Sequence, residues 1–195
     1  MTRVTNVIVI SGTPGTGKTT IAKQLANSIN GKYVSIGQYV TKHKLFLGVD
    51  RTRKTKIVNL ETTRRGLGRH LTASKGWIVV DTHIPEGIVP AKSVRLATIL
   101  RCHPRILEAR LRTKKWNQTK IRENVLAEIL DSCFLAAVKY YGARKVAQID
   151  TSKSTVQGSV TMIKGTIMGK RSTRGLKVDW LTRLEKEGLL DRYLK

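Results

Sequence analysis

Acidic residues are scarce in this chain of 195 residues. Its 13 Asp and Glu stand against 37 Lys and Arg, which gives a formal net charge of +24 at pH 7. The ion-pair networks of thermophilic proteins need acids to match their bases, so this explanation of the charge is disfavoured. A protein that neutralises phosphates releases condensed counterions, which favours association with polyanions. The imbalance favours contact with nucleic acid, and a small nucleotide together with nonspecific polyanions is the alternative.

Cysteine is rare, and long apolar runs are missing. Cys102 and Cys133 lie far apart and show neither C-x-x-C nor metal-ligand spacing, so a disulfide scaffold and a zinc site are both disfavoured. We expect two reduced, buried thiols. No apolar segment approaches the length that crosses a bilayer, and residues 1–12 do not look like a signal peptide. We therefore expect a soluble cytoplasmic protein with no membrane partner.

Aromatic residues make up only 5% of the chain, which leaves little for stacking on the bases of single strands. Two clusters of basic residues instead suit a phosphate backbone. They are Arg51, Arg53, Lys54 and Lys56 in one cluster, and Lys170, Arg171, Arg174 and Lys177 in the other. Such runs are more often solvated surface, and only together with the net charge do they indicate RNA contact.

Strand and helix patterns alternate along a chain whose length suits one ordinary α/β core. Predicted strands cover 4–10, 33–36, 77–80, 96–100 and 146–149, and predicted helices cover 19–29, 38–47, 60–73, 104–114, 119–141 and 155–168. The pattern predicts an α/β fold with a five-stranded parallel sheet and helices on both faces. Residues 1–168 would form this domain. Residues 169–195 would form a basic linker and a helical tail, capped by Asp179, that packs either on the core or on a partner.

Residues 12–20, with the sequence GTPGTGKTT, match G-x-x-x-x-G-K-[ST] between a predicted strand and a predicted helix. Glycines let such a loop turn its amides inward, and the helix N-terminus adds positive potential, so the loop suits phosphates. Lys18 can bridge the β- and γ-phosphates, Thr19 can ligate Mg²⁺, and Thr20 can touch a phosphate oxygen. The pattern predicts an ATP site with Mg²⁺. Its nucleotide-binding residues would be Gly12, Gly15, Thr16, Gly17, Lys18, Thr19 and Thr20.

Asp81 and His83 follow the third predicted strand, at the edge of an open sheet where ligands bind. A carboxylate that ends the strand beside a phosphate loop can hold Mg²⁺ through water. His83 could orient water or relay a proton near the γ-phosphate. An apolar strand ended by Asp is common, and a loop histidine is usually inert, so the phosphate loop is what favours a catalytic interpretation of both.

A cationic cluster lies around Trp116 and Asn117, where two predicted helices meet. Its members are Arg110, Arg112, Lys114, Lys115, Lys120 and Arg122. In a nucleotide kinase, a mobile cationic lid covers the phosphates, excludes water and neutralises charge in the transition state. The cluster predicts such a lid, and a solvated basic turn or an RNA-contacting face is the alternative.

Several of these segments together resemble the adenylate kinase isoenzyme 6 family. They are GTPGTGKTT, YVSIG from Tyr33, VVDTH ending at His83, EARLR from Glu108, Trp116 with Asn117, and 120–124. The agreement spans about residues 5–153 in order, and the D-x-H and lid patterns discriminate better than the phosphate loop does. The resemblance implies a P-loop nucleoside-monophosphate-kinase fold, adenylate kinase and ATPase activity, and a role in maturation of the small ribosomal subunit, bound to a ribosomal protein near the rRNA 3′ end.

The same resemblance implies roles for individual residues. The phosphate loop would bind ATP, Asp81 and His83 would form the Mg²⁺-linked and catalytic pair, and Lys153 would lie near the adenine. Residues 35–58 would form the monophosphate-binding part and 113–123 the lid. Lys114 stands where relatives carry a lid arginine, and lysine keeps the charge but lacks the bidentate fork.

The leading hypothesis is an adenylate kinase-type phosphotransferase and ATPase that works beside pre-ribosomal RNA. Its substrates would be ATP and a nucleoside monophosphate, with AMP the first candidate, and its catalytic residues Lys18, Asp81 and His83. A second hypothesis is an assembly factor that binds RNA and a ribosomal protein and uses ATP as a conformational switch. A third is a small-metabolite kinase on the same fold. We expect a monomer or a complex with a ribosomal protein.

Overall fold

A computed structural model describes residues 6–50, 55–170, 172 and 177–194. The sheet strands are β1 (Asn6–Gly12), β2 (Lys32–Ser35), β5 (Trp77–Asp81), β6 (Val94–Arg101) and β7 (Val146–Asp150), and a hairpin pairs β3 (Phe46–Asp50) with β4 (Thr55–Val58). Within the described residues the central sheet has five strands, all parallel, in the order β2-β5-β1-β6-β7. The predicted five-stranded parallel sheet is confirmed. Residues 1–5, which include the predicted start of β1, lie outside the described part.

β1 lies at the centre of the sheet because both of its faces are apolar. Val7 and Val9 pack into one hydrophobic core, Ile8 and Ile10 pack into another, and all four are fully buried. Successive side chains of a strand point to opposite faces, so a continuous apolar run suits a strand covered on both sides. The carboxyl ends of β1 and β5 lie side by side, with Ile10 opposite Asp81.

Helices cover both faces of this sheet. In the described residues they are α1 (Lys18–Ser28), α2 (Ile36–Lys42), α3 (Leu60–Ala73), α4 (Pro104–Arg112), α5 (Gln118–Ile129), α6 (Ser132–Tyr141), α7 (Val156–Ile167), α8 (Trp180–Lys186) and α9 (Leu190–Leu194). Leu25 of α1 and Ile163 of α7 join the core of Ile8 and Ile10, whereas Leu67 of α3 and Ala137 of α6 join the other core. None of the described helices is long and apolar enough to cross a membrane.

The prediction of a helix over 38–47 followed by a basic loop is wrong. Helix α2 ends at Lys42, Lys44 has a left-handed φ of +53°, and β3 then pairs antiparallel with β4. Side chains along β3 alternate between half-buried and exposed positions, which is the period of a strand. Residues 51–54 of the predicted basic cluster lie outside the described part of the chain.

The single helix predicted over 119–141 is in fact two helices, and the cause is local. Asp131 stands between α5 and α6 with a left-handed φ of +57°. Its carboxylate accepts a hydrogen bond from the guanidinium of the buried Arg101. A short polar side chain tolerates this backbone conformation better than most, so the helix breaks at a residue that is anchored to the sheet.

The C-terminal helices α8 and α9 pack on the core. The sequence left open whether this tail packs on the core or on a partner. Trp180, Leu184 and Tyr193 are buried, and the last two join a third hydrophobic cluster with side chains of α4 and α5. Asp179 caps α8 by accepting a hydrogen bond from the Thr182 amide, as predicted. Residues 171 and 173–176 of the predicted linker lie outside the described residues.

Candidate active site

The loop between β1 and α1 carries three glycines with a positive φ, a backbone conformation that other residues rarely adopt. Gly12, Gly15 and Gly17 have φ values of 136°, 98° and 94°. A Cβ on Gly12 would lie 2.3 Å from the Leu100 carbonyl oxygen, and a Cβ on Gly15 would lie 2.9 Å from Leu107 Cδ1. The glycine spacing that predicts a phosphate loop therefore has a steric basis, because the loop runs close against β6 and α4.

Contacts within the protein fix the conformation of this loop. The buried Thr16 donates its hydroxyl hydrogen bond to the Thr13 carbonyl at 2.9 Å, and Thr151 donates to the Thr16 carbonyl at 3.0 Å. Arg110 of α4 contacts the Gly15 carbonyl at 3.5 Å and the Thr151 carbonyl at 3.1 Å. The loop is thus held from the side of α4 and from the segment that follows β7.

Lys18, the first residue of α1, folds back over the loop, and its Nζ donates to the Thr13 carbonyl at 3.1 Å. Burial lowers the pKa of Lys18 to about 8, and the nearby Asp81 carboxylate opposes part of that shift. An anion bound beside this ammonium would favour its charged form. Lys18 is half-buried and is therefore placed to bind an anion.

Asp81 ends β5 beside the loop and is 7% exposed. Its Oδ2 accepts hydrogen bonds from the Thr19 hydroxyl at 2.7 Å and from the Tyr33 hydroxyl at 3.1 Å. Hydroxyl and carboxylate oxygens are ligands that Mg²⁺ accepts. In the described residues no group of three or more His, Cys, Asp and Glu could hold a metal ion. The pair of Thr19 and Asp81 fits an ion that takes its other ligands from water and phosphate.

His83 lies on the wall of the same cavity, two residues beyond Asp81. Its pKa lies below the ordinary value of 6.5, first because the surrounding protein displaces water from the ring and second because Lys18 is positive. The imidazole is therefore neutral at pH 7. In that form one ring nitrogen can accept a hydrogen bond or a proton.

A cavity of about 820 Å³ connects these groups. Its walls come from the phosphate loop, the end of β5, the start of α2, and the region from the end of α4 to the first turns of α5. The lining residues are Pro14, Gly15, Gly17, Lys18, Thr19, Thr20, Ser35, Gly37, Asp81, Thr82, His83, Arg110, Thr113, Lys114, Trp116, Lys120, Glu123 and Asn124. Gly12 and Thr16 are buried members of the loop, and Lys153 is exposed on the segment between β7 and α7. These three residues do not line the cavity.

The predicted lid contributes positive charge to one wall of the cavity. Lys114 and Lys120 place Nζ 5.8 Å and 4.1 Å from the centroid of the Trp116 ring. The negative face of an indole attracts such cations weakly enough for a phosphate to compete. Arg112, in contrast, pairs with Glu108 at 2.6 Å and does not line the cavity. The cationic cluster is therefore divided between the cavity and the packing of α4.

Comparison with known proteins places the chain in a family. Residues 8–131 match the family described as "AAA domain". The chain is 32% identical over 173 residues to the "Putative adenylate kinase" of Methanocaldococcus jannaschii, which covers 89% of this chain and 92% of that protein. It is 33% identical over 183 residues to the protein of the same name from Pyrobaculum aerophilum, covering 94% and 90%. The chain belongs to this adenylate kinase family. The resemblance found in the sequence is confirmed.

A solved structure supports the fold of this adenylate kinase family member. Shikimate kinase from Bacteroides thetaiotaomicron is 16% identical and aligns with a TM-score of 0.55, covering 83% of this chain and 98% of that one. At this identity the likeness concerns the fold alone. The likeness supports a kinase-type α/β fold for this chain.

Sequence reasoning gave no individual role to several polar residues of the site in this family member, although Tyr33, Glu123 and Asn124 lie in segments that carry the resemblance. Tyr33 binds Asp81, Glu123 and Asn124 line the cavity, and Glu128 holds Thr13 from below. The sequence analysis gave Tyr33 no role of its own, and its place on β2, next to β5, brings it to Asp81. The spacing of 123, 124 and 128 on one helix is a signal that could have pointed to the cavity wall.

Proposed function

We propose that this protein transfers the γ-phosphoryl group of ATP to a nucleoside monophosphate, with AMP the first candidate, and hydrolyses ATP when water takes the acceptor's place. The observation that carries the proposal is the meeting of Lys18, Thr19, Asp81 and His83 on one cavity beside a glycine-constrained loop. The names of the archaeal relatives agree with it. A cavity of about 820 Å³ is large enough for more than one small ligand.

The phosphate loop and Lys18 would hold the polyphosphate, with Thr16 and Gly12 shaping the loop and Thr20 contacting a phosphate oxygen. Thr19 and Asp81 would hold Mg²⁺, directly or through water. When bound, Mg²⁺ neutralises charge on the phosphates. The Lys18 ammonium would stabilise the charge that develops on the transferred group.

The acceptor would enter between the end of β5 and the start of α2. Ser35, Gly37 and Thr82 line that wall, and His83 stands on it. We assign residues 35–58 to the acceptor and 113–123 to a lid, with Lys114 and Lys120 turning from Trp116 to the phosphates. A neutral His83 can orient an attacking water molecule by accepting a hydrogen bond from it. Lys153 would act near the base from outside the cavity lining.

We further propose that the protein acts in maturation of the small ribosomal subunit, in contact with rRNA and a ribosomal protein. A net charge of +24 exceeds what binding one nucleotide requires and supports a polyanionic partner. The same observation favours a second candidate, an RNA-binding assembly factor in which ATP switches the conformation with little turnover. The two differ in how strongly ATP consumption depends on a monophosphate.

One set of assays tests the proposal. ATP consumption and product formation are measured with AMP, CMP, water alone and rRNA fragments, for the wild type, Lys18→Ala and His83→Ala. Lys139→Ala, which removes an exposed lysine of α6, is the control variant. We expect AMP to accelerate ATP consumption and yield ADP, Lys18→Ala to abolish it, and Lys139→Ala to leave it unchanged. Equal ATP consumption with and without every monophosphate would exclude the kinase activity.

A further inference from the structure

One buried carboxylate joins the phosphate loop to the C-terminal helix α8. Glu128 is 2% exposed, and its Oε2 accepts a hydrogen bond from the Thr13 hydroxyl at 2.5 Å. Its Oε1 accepts from the Trp180 indole at 2.9 Å, from Arg101 Nε at 2.8 Å and from the Cys102 amide at 3.0 Å. A buried carboxylate with this many donors has few alternative orientations. A change at one donor therefore alters the hydrogen bonds that the others make.

Thr13 brings this carboxylate into contact with the working part of the loop. The Thr13 carbonyl accepts from Lys18 Nζ at 3.1 Å and from the Thr16 hydroxyl at 2.9 Å. Thr13 itself is 2% exposed and is not among the residues that line the cavity. Glu128 consequently positions Thr13 from behind the cavity wall, and Thr13 in turn accepts the hydrogen bond of Lys18.

The indole of Trp180 packs largely against charged and polar side chains. The indole is 1% exposed and meets the His103 ring edge-on, with centroids 5.4 Å apart. The guanidinium carbons of Arg101 and Arg183 lie 6.0 Å and 5.5 Å from the indole centroid. His103 Nε2 and Glu187 are 2.8 Å apart, which adds a contact from the end of α8. The docked position of α8 is thus specified by directional contacts as well as by apolar packing.

We propose that Glu128 is a positioning residue for the phosphate loop, and that the docking of α8 through Trp180 regulates the affinity of the loop for nucleotide. The inference rests on the proposed function. With Trp180 docked, the carboxylate is held with Oε2 toward Thr13. Without the indole N–H, Oε1 keeps only two donors, Arg101 Nε and the Cys102 amide. The carboxylate can then turn toward Arg101 and release the Thr13 hydroxyl. The loop then loses the contact that places the Thr13 carbonyl under Lys18.

Calorimetric titration with Mg·ATP tests the link with the full chain. Trp180→Phe keeps a buried aromatic ring and removes the N–H donor, and Thr13→Val removes the hydroxyl at nearly equal volume. We expect each to weaken Mg·ATP binding by about threefold to tenfold. Thr13→Ser, which keeps the hydroxyl, should restore most of the affinity that Thr13→Val loses. Leu181→Ala, at an exposed site on the same helix, should also leave binding unchanged.

The double variant distinguishes positioning from general loosening. Both single changes break the same chain of contacts, which runs from Trp180 through Glu128 to Thr13. The double variant Thr13→Val with Trp180→Phe should therefore weaken binding by clearly less than the product of the two single effects. Effects that multiply, or a folded Trp180→Phe that binds as tightly as the wild type, would overturn the inference. A wild type that binds no Mg·ATP would instead remove the proposed function, and this inference with it.

A second measurement needs no substitution. Coupling between two sites is reciprocal, so Mg·ATP must stabilise the docked α8 if docking strengthens nucleotide binding. We expect amide hydrogen exchange of residues 180–186 in the wild type to become slower when Mg·ATP is added. Exchange there that stays the same, while the phosphate loop becomes protected, would refute the coupling even if Trp180→Phe failed to fold.

Discussion

Lys18 lies in a site that reduces its basicity until an anion arrives. Burial lowers its pKa to about 8, whereas a bound polyphosphate favours the charged ammonium. Binding at pH 8 must then be accompanied by uptake of less than one proton per Mg·ATP, because part of the Lys18 population is deprotonated there. Calorimetry in buffers of different ionisation enthalpy measures this quantity. Lys18→Met should abolish the uptake, and Mg·ATP binding to the wild type without any uptake would contradict the buried lysine.

His83 should affect turnover more than binding. Its pKa lies below 6.5 because the cavity displaces water and Lys18 repels a second positive charge, so the ring is neutral at pH 7 and becomes protonated only at more acidic pH. We predict that ATP hydrolysis falls as the pH is lowered through that pKa. His83→Ala should lower kcat by about a hundredfold, leave Mg·ATP affinity unchanged and lose this acid limb. A pH profile that keeps the limb in His83→Ala would show that another group is responsible.

At the scale of elements, the predicted lid of residues 113–123, which includes the start of α5, carries positive charge beside the cavity. Lys120 lies 4.1 Å from the Trp116 centroid and lines the cavity, so its ammonium can exchange the indole for a phosphate. We predict that Lys120→Met, which keeps the stem and removes the charge, lowers kcat by about tenfold to a hundredfold. Lys139→Met on α6 is the matched control. An unchanged kcat in Lys120→Met would mean that Lys120 does not act as part of a lid.

The break between α5 and α6 should contribute to stability through Asp131. Asp131→Ala removes an ion pair with the buried Arg101 and places an ordinary residue at a φ of +57°. We predict a loss of about 2 kcal/mol in the free energy of unfolding, measured by urea denaturation. Ser132→Ala, at the exposed neighbouring position, should change it little. A loss in Asp131→Ala no larger than that of Ser132→Ala would contradict this account of the break.

Elements whose cause is local could be predicted from the sequence, and contacts between distant segments could not. The phosphate loop follows from nine consecutive residues, and Asp81 follows from the end of one apolar strand. The hydrogen bond from Thr13 to Glu128 joins residues 115 positions apart, and that from Trp180 to Glu128 joins residues 52 apart. No periodicity marks such pairs. The break at Asp131 was missed for the same reason, because its partner Arg101 lies on β6.

At the scale of the whole molecule, the charge of +24 should govern association with polyanions. Binding that depends on phosphate neutralisation weakens as salt replaces the released counterions. We predict that affinity for rRNA fragments falls by about a hundredfold or more between about 50 mM and 200 mM salt, measured by fluorescence anisotropy. Mg·ATP affinity, set within one cavity, should fall far less. RNA affinity that does not depend on salt would exclude recognition through the phosphate backbone.

The central claim is that the loop after β1 and Lys18 together bind the phosphates of ATP. Calorimetric titration of the folded protein with Mg·ATP tests it most directly. We predict saturable binding at one site in the wild type and affinity weaker by at least about tenfold in Lys18→Ala, since a charge-assisted contact is lost. No heat of binding from the folded wild type, or equal affinity in the two proteins, would contradict the claim.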